Sequence, residues 1–388
     1  MSSFRTKNVI TAAKVQAEVG TDAAPTVGDD AFLCEAVSAN PSFENEDTDE
    51  STGVLDDRPS IAGGGFRPFD TTVHLKGSGS AGTAPEFAAL LIGCAMAEYL
   101  LAADLVGTAT AGTSSTVSVP DITGVRAGMV LEITDGTGEG QRRVITGVTA
   151  GVNPAGVLAV YPDFETDPDE TSEITVRACA LYVPASTSLK NITLRRWQKD
   201  SAGGNSKLTS IVDAAGTANF TFAPRVTGKC QFQMRGRLSA PTDVADPGAP
   251  SLTSVRPVAL VGAEIFLGGV ATRFNQLTFN LGATVDQQDD PSDAYGYGEA
   301  GVTRRRMEGR INPPMALQSV RNAFASWLNG TTQAFWLNYG PAAGNRISLY
   351  APELVYTGDE DEDVRGFAHS GLPFRAGGQD SGVHICFW

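Results

Sequence analysis

The chain of 388 residues carries a formal net charge of −15, and charged residues make up 19% of it. This surplus of carboxylates argues against a nucleic-acid-binding surface, because phosphate contacts need lysine and arginine to replace counterions. Glycine and proline are frequent, at 43 and 21 residues, and short alternating runs of threonine, valine and serine recur. Such a composition indicates a β-rich globular protein and excludes a disordered one.

The first part of the chain predicts two strands and then an acidic segment. The strands are expected over residues 8–19 and 31–38, with a turn rich in Gly, Asp and Pro between them. One interpretation of the acidic segment is a solvated loop. The other is a long arm or hairpin that contacts a neighbouring subunit, because loops of this length in compact proteins are often functional. The carboxylates of the segment are Glu44, Glu46, Asp47, Asp49, Glu50, Asp56 and Asp57.

Residues 69–100 predict a strand, a glycine hinge and a helix. Apolar and polar residues alternate from Phe69 to Lys76, which is the period of a half-buried strand. Gly77–Gly82 interrupts this pattern, and Thr83 is predicted to cap a helix in a capping box with Glu86.

The predicted helix is apolar on nearly all sides, so it must be covered on more than one side. We expect it to lie against a β-sheet and to end at about Leu105. Its main apolar residues are Phe87, Leu90, Leu91 and Cys94.

A change of character marks residues 107–178, which contain five short strand-like runs separated by Gly, Asp and Pro. This spacing is typical of a small barrel or sandwich. Ten acidic and four basic side chains give the segment a formal charge of −6. Because the flanking sequences AADLV and RACALYV would join directly without it, we predict an inserted β domain between two parts of a discontinuous core, 1–106 and 179–388.

The rest of the chain predicts further strands and a second helix over residues 313–328. Asn312 is the expected N-cap of this helix, and Gly330 the residue that ends it. Its apolar stripe consists of Leu317, Val320, Phe324 and Trp327 or Leu328.

The sequence predicts no enzyme, and no catalytic, metal-binding or cofactor-binding residue. The three histidines lie outside metal-ligand spacing with Cys or Asp, and no serine sits in a nucleophile-elbow motif. The five cysteines are scattered, which indicates free, buried thiols of a reducing compartment. The longest apolar run is interrupted by Glu98 and Asp104, so no membrane span is expected, and without an apolar signal core we expect synthesis in a cytoplasm.

A basic run stands out in this acidic chain. Two hypotheses explain it: contact with nucleic acid, or contact with an acidic patch on another copy of the chain, which the net charge favours. The run comprises Arg304, Arg305, Arg306 and Arg310.

Taken in order, several segments resemble the tail tube (major tail) proteins of long-tailed bacteriophages. The resemblance spans most of residues 10–104 and 179–388, whereas the insert is similar to small β modules of phage tail and fibre proteins. The hinge and helix are the most specific part. The segments are AAKVQAEVGTDAAPT, LKGSGSAGTAPEFAALLIGCAMAE, KLTSIVDAAGTANFTFAPRVTGKCQFQMRG and GNRISLYAPELVYTGDEDEDVRGFAHSGLPFRA.

The resemblance implies a mostly β fold, with a β-sandwich- or barrel-like tail-tube core, a flanking α-helix and an inserted small all-β domain. Six copies would close into a ring, and stacked rings would form the tube through which genomic DNA leaves the virion without specific binding. The implied partners are other copies of the chain, a tape measure protein in the lumen, the tail terminator and the tail tip. Assembly would take place in the cytoplasm of the bacterial host.

Further expectations follow from this resemblance. A neighbouring subunit should complete the burial of the flanking helix, and the acidic segment should contact the next ring. The insert should face outward, which favours a non-contractile tail. The alternatives are a tail-tip or receptor-binding component, and an enzyme on a β-sandwich scaffold. The latter would need paired carboxylates and an aromatic platform, and the four tryptophans form no such group.

Overall fold

The computed structural model describes residues 3–48, 50–51, 53–56, 58–152 and 154–388. In these residues the chain is mostly β, which confirms the predicted class, and the helices α1 (Ala88–Gly93) and α2 (Ala323–Leu328) have six residues each. The strands before the insert are β1 (Phe4–Val15), β2 (Val37–Ser38), β3 (Ser42–Glu46), β4 (Ile61–His74) and β5 (Met96–Leu101).

The strands of the region predicted as an insert are β6 (Leu105–Thr108), β7 (Ala111–Gly112), β8 (Thr116–Val119), β9 (Val130–Asp135), β10 (Arg142–Ala150), β11 (Gly156–Tyr161) and β12 (Glu173–Val176). The strands that follow are β13 (Cys179–Pro184), β14 (Ile192–Asp200), β15 (Asn205–Phe222), β16 (Lys229–Arg237), β17 (Thr242–Ala245), β18 (Glu264–Leu267), β19 (Val270–Ala271), β20 (Leu277–Asn280), β21 (Ala283–Asp289), β22 (Tyr297–Arg305), β23 (Glu308–Ile311), β24 (Gln333–Tyr339), β25 (Ile347–Tyr356), β26 (Glu360–Val364), β27 (Phe367–Ala376) and β28 (His384–Phe387).

One antiparallel ladder builds the main body around a single core. It starts with β4, β16 and the second half of β15, and continues through β20, β23 and β27. From β27 it passes to β25, β28, β13 and β5. Strands from both ends of this ladder contribute to the same buried cluster, so the ladder curls around its own apolar face.

The long strand β15 belongs to two sheets and bends between them. Its first half pairs with β14 and β17, and its second half with β16 and β20. Asp213 lies at the irregularity with a positive φ of 53° and is fully buried. Its carboxylate accepts hydrogen bonds from Gln16 and from the backbone of Gly20 and pairs with Arg237 at 3.3 Å, which compensates its burial.

The strand predicted near Phe69 is present but begins much earlier, at Ile61. Phe69, Thr71, Val73 and Leu75 are all buried, as their alternation predicts.

The first helix is shorter than predicted, and Thr83 does not cap it. The N-cap position is Phe87, which makes no side-chain cap hydrogen bond. Glu86 instead pairs with the ammonium of Lys76 at 2.8 Å and accepts a hydrogen bond from the backbone of Leu33 at 2.9 Å. This nearly buried, charge-assisted contact replaces the predicted capping box. After Ala95, which has a φ of 58°, the chain enters β5 and pairs with β13, so sheet pairing ends the helix.

The helix region is covered within a single chain. Phe87, Leu90, Leu91 and Cys94 have no exposed surface, and α1 packs against β1, β5, β14 and β15. These four side chains therefore need no neighbouring subunit for their burial. Ala88, Ala89 and Ile92 on the other side of the helix stay partly exposed, and contact with a neighbouring subunit there stays a prediction.

The predicted second helix is reduced to α2. Asn322, and not Asn312, caps it by accepting a hydrogen bond from the backbone of Ala325 at 2.9 Å. The side-chain oxygen of Asn312 accepts hydrogen bonds from the backbone of Asn275 and Gln276 instead, so it fixes a loop to β23.

Residues 105–176 form a separate sheet of seven strands in the order β6-β12-β9-β10-β11-β8-β7, where five strand-like runs were expected. The chain enters this sheet from strand β5 and not from the helix. The core of the sheet extends into the main body through Cys179, Leu181, Cys386 and Trp388. The two sheets are therefore joined by a shared apolar cluster.

An ion-pair network crosses the same junction. Glu132 of β9 pairs with Arg142 at 3.0 Å and with Arg177 at 2.5 Å, and Arg142 also approaches Glu264 of β18 at 3.6 Å. Arg177 pairs in addition with Asp104, just before the sheet begins. Burial acts to raise the pKa of Glu132, but the two arginines outweigh it, and the net pKa is lowered.

Removing Phe87 should destabilise the core. Its ring contacts Phe232 of β16 and Phe387 of β28, with ring centroids 6.4 and 5.7 Å apart. We expect Phe87→Ala to lower the free energy of unfolding by about 3–5 kcal/mol in urea denaturation. Phe367, which is 73% exposed, is the matched control, and Phe367→Ala should change stability by less than about 0.5 kcal/mol. Equal losses would contradict a core role for Phe87.

The Glu132 network should make stability depend on pH. Because the folded pKa of Glu132 lies below its unfolded value of 4.5, its contribution is present above that pH and is lost as pH falls through the folded pKa. We expect Glu132→Gln to cost about 3 kcal/mol near pH 7, and the difference from the parent chain to shrink below about pH 4. The exposed Glu139→Gln is the control, and urea unfolding at both pH values is the measurement. A difference that does not change with pH would rule out this linkage.

Candidate assembly surfaces

The first part of the acidic segment lies in a β-hairpin, and contact of this segment with a neighbouring subunit stays a prediction. β3 pairs antiparallel with the first half of β4, from Ser42 opposite Phe66 to Glu46 opposite Ile61. All residues of β3 and the first three of β4 are exposed. We call residues 42–66 the acidic arm. A two-stranded hairpin exposed on both faces is only marginally stable alone.

The root of the acidic arm is fixed to the main body. The backbone N–H of Gly65 donates to the carbonyl of Tyr295 at 3.0 Å, and a Cβ on Gly64 would lie 2.9 Å from that oxygen. Only glycine allows this close approach. The carboxylate of Glu44 accepts a hydrogen bond from the hydroxyl of Tyr297 at 2.6 Å, which raises the pKa of Tyr297.

Towards the tip of the arm the carboxylates have fewer partners. Glu50 pairs with Arg58 at 2.5 Å, and both side chains are more than half exposed. For the remaining acidic residues in the described part of the arm, Glu46, Asp47 and Asp56, the structure gives no ion pair. Asp49 and Asp57 lie outside the described residues.

The basic run finds most of its partners within its own chain. Arg305 donates to the carbonyl of Ala185 at 2.6 Å and lies 3.5 Å from Asp380, and Arg306 lies 3.4 Å from Glu308. These arginines line a groove of about 780 Å³. Arg305 and Arg306 therefore already have carboxylate neighbours in their own chain, which weakens the hypothesis that the basic run contacts an acidic patch on another copy.

Arg310 is also paired in-chain. It binds Glu362 and, at 2.5 Å, Glu360, and these carboxylates raise the pKa of Arg310. The two carboxylates belong to the acidic strand β26. The charge match between Arg310 and residues 359–363 was the available signal, but the pairing depends on β23 and β26 both flanking β27. Within the described residues Arg304 alone of the four arginines has no carboxylate partner.

An exposed apolar patch surrounds α2. The residues predicted as a helical stripe lie mostly outside α2 or on its solvent side, and Phe324 and Trp327 contact each other edge to face. Exposed large apolar side chains that lie together mark interaction sites. The patch comprises Met315 (47% exposed), Leu317 (77%), Val320 (54%), Phe324 (54%), Trp327 (43%) and Leu328 (73%).

The histidines contact other groups of the chain, and the cysteines form no disulfide. His74 lies 2.9 Å from Glu35, and the ring nitrogens of His369 and His384 lie within hydrogen-bond distance of the carbonyls of Asn312 and Ala127. All five cysteines are free, and burial raises the pKa of the three thiols Cys94, Cys230 and Cys386, which disfavours the reactive thiolate.

The described residues contain no group of three or more His, Cys, Asp or Glu side chains that could hold a metal ion. None of their helices has the length and apolar character needed to cross a membrane.

No family model matches the sequence, and no curated protein matches it.

Mutation can distinguish Arg310, which pairs with carboxylates of its own chain, from Arg304, which has no such partner among the described residues. We expect Arg310→Ala to lower the free energy of unfolding by about 1 kcal/mol, because it leaves Glu360 and Glu362 without their cation. Arg304→Ala, which removes an equal charge with no in-chain partner among the described residues, should stay within about 0.5 kcal/mol of the parent. Thermal and urea unfolding measure both. A similar loss for the two variants would contradict the in-chain role of Arg310.

Proposed function

We propose that this chain is the structural subunit of a bacteriophage tail tube, in which six copies close into a ring and the rings stack. The observation that carries this proposal is the acidic arm, because a rooted hairpin with both faces exposed is suited to contact another subunit. In this assembly genomic DNA passes through the lumen without specific binding, and the chain has no enzymatic role.

Unpaired strand edges support a closed ring. In the described part of the chain, β3, β17 and β26 each pair with one neighbour only. Exposed edges promote uncontrolled association unless they are covered, and cyclic closure covers them with the same surface of the next copy. The exposed apolar patch around α2 provides further surface for contacts between subunits.

Charge supports passage of DNA. The net charge of −15 has the same sign as the phosphate backbone, so most of the surface repels DNA at short range. A lumen must allow the duplex to slide, and it would also hold the tape measure protein before ejection. The tail terminator and the tail tip would bind the two ends of the tube in the virion.

The inserted sheet fits an outward position. Its core is shared with the main body through Trp388 and Cys386, so it is a firmly attached module and not a flexible tether. A module of this size does not fit in a lumen that passes duplex DNA, and a contractile sheath would leave it little room, so we propose a non-contractile tail. A sheath packed on the tube, or density for the insert inside the lumen, would contradict this arrangement.

The inserted sheet is the one feature that favours a second role, that of a tail-tip or receptor-binding component. A separate seven-stranded sheet on the surface of a tail protein could contact the host, which would make the chain a tail-tip or receptor-binding component. The two roles differ in copy number, since a tube subunit is a dominant band of purified virions and a tip protein is a faint one.

The arm should be required for assembly and dispensable for folding. Negative-stain images of the purified chain should show stacked rings or tubes. Deletion of residues 44–57 should abolish tubes while the circular dichroism spectrum and the unfolding midpoint stay close to those of the parent, because these residues add little to the buried core.

A matched control removes charge elsewhere. The variant with Glu139→Gln, Asp167→Asn and Glu170→Gln neutralises three exposed carboxylates of the inserted sheet and should still form tubes. A parent chain seen only as single compact particles would count against the tail-tube proposal, and normal tubes after the deletion would count against the role of the arm.

A further inference from the structure

A pocket of about 590 Å³ lies at the root of the acidic arm, and its charged lining is entirely basic. Arg5, Arg67, Arg196 and Lys207 line it, and no aspartate or glutamate does. This is unexpected in a chain with 44 acidic and 29 basic side chains. We call it the cationic pocket.

Two of these cations, Arg67 and Arg196, have no carboxylate partner among the described residues. Arg67 is 4% exposed and donates to the backbone carbonyls of Ala39 and Ser239, at 3.0 and 3.1 Å. Arg196 is partly buried and donates to the amide oxygen of Gln198 at 2.7 Å, and the Nε of each arginine has no hydrogen-bond partner in the described part of the chain. Burial lowers the pKa of both arginines, and the charge of Arg196 lowers that of Arg67 further. Buried charge without an opposite charge is unfavourable, so the pocket would be stabilised by an anion.

The walls of the pocket are apolar. Phe4 and Phe43 line it together with Leu238 and Pro241, and the two phenylalanines are 51% and 47% exposed. A free inorganic ion would leave these rings in water. A ligand that combines carboxylates with an apolar side chain would use both the cations and the walls.

The tip of the acidic arm has this chemistry. Leu55 is 104% exposed and is followed directly by Asp56, and Glu50 lies across the same tip. Residues 44–58 contain seven carboxylates and one arginine, a formal charge of −6. The arm tip is therefore complementary to the pocket in both charge and apolar content.

The occupant must come from a second copy. Phe43 of the arm and the flanking residues Pro41 and Arg67 line the pocket, whereas the hairpin runs from there to Glu46 and Ile61. No described residue between Glu44 and Ser60 lines the pocket of its own chain. A tip-to-root contact joins two different surfaces, so it repeats in one direction and builds a stack.

We propose that the arm tip of one copy, with Leu55 and Asp56, binds in the cationic pocket of the next copy, where its carboxylates face Arg5, Arg196 and Lys207. This rests on the proposed function, since it identifies the contact between stacked rings. Arg67 connects two segments of the pocket lining by donating hydrogen bonds to the backbone carbonyls of Ala39 and Ser239.

Binding can be tested in trans. A fluorescently labelled peptide of residues 47–60 is titrated with the full-length chain at a concentration where it is not assembled, and anisotropy is measured. We expect saturable binding that weakens with salt and falls roughly tenfold or more with Arg5→Glu or Lys207→Glu, both of which change exposed residues. The exposed Lys190→Glu is the matched control and should bind as the parent does. The peptide with Leu55→Ala and Asp56→Asn should bind weakly.

Assembly provides a second test through a charge exchange. Asp56→Lys and Lys207→Glu should each reduce tube formation in negative stain, and the double variant should restore it because the two charges face each other again with signs reversed. Single variants that form normal tubes, or a double variant no better than either single one, would overturn the contact.

The two tests separate this inference from the tail-tube proposal. Tubes with no peptide binding and no effect of the variants would overturn the pocket contact and leave the tube intact. Peptide binding by a chain that never forms tubes would support the pocket contact between copies and count against the tube. If a short DNA duplex binds the pocket and the peptide does not, the site recognises phosphate and the proposed contact is wrong.

Discussion

The burial of Phe87 between the two ends of the curled β ladder is the constraint on which the main body depends. Phe232 of β16 and Phe387 of β28 belong to distant parts of the ladder, and the ring of Phe87 contacts both. Burying such a ring contributes about 3 kcal/mol, and each aromatic contact adds about 1 kcal/mol. The position of Phe87 places α1 on the sheet, then β5 beside β13, and so determines where the chain leaves for the seven-stranded sheet.

Because this core is complete within one chain, the features that suggest assembly all lie on the surface. The acidic arm is exposed on both faces, large apolar side chains around α2 are exposed, and the charged side chains that line the cationic pocket are all basic. Covering exposed apolar area and pairing desolvated charge are both favourable, so the same surfaces that cost stability in the isolated chain would drive association.

Local patterns predicted part of this arrangement well. The alternation from Phe69 to Leu75 identified the buried face of β4, because the period of a strand depends only on the backbone. Both helices were predicted too long. The side chains expected to cap them bind elsewhere, since Glu86 pairs with Lys76 and Asn312 accepts a hydrogen bond from the backbone of Asn275. The cationic pocket was not predicted, since Arg5, Arg67, Arg196 and Lys207 come from four separate segments that only the fold brings together.

The sequence by itself determined the mostly β class, the acidic character of the chain, the position of the arm and the apolar residues of the first helix, because these follow from composition and short-range periodicity. Only the tertiary structure decided that Phe87, Leu90, Leu91 and Cys94 are buried within one chain. It also decided that Arg310 pairs with Glu360 and Glu362, and that four cations from separate segments share one pocket. The physical reason is that long-range strand pairing decides which charges and apolar faces meet, and no local pattern encodes those partners.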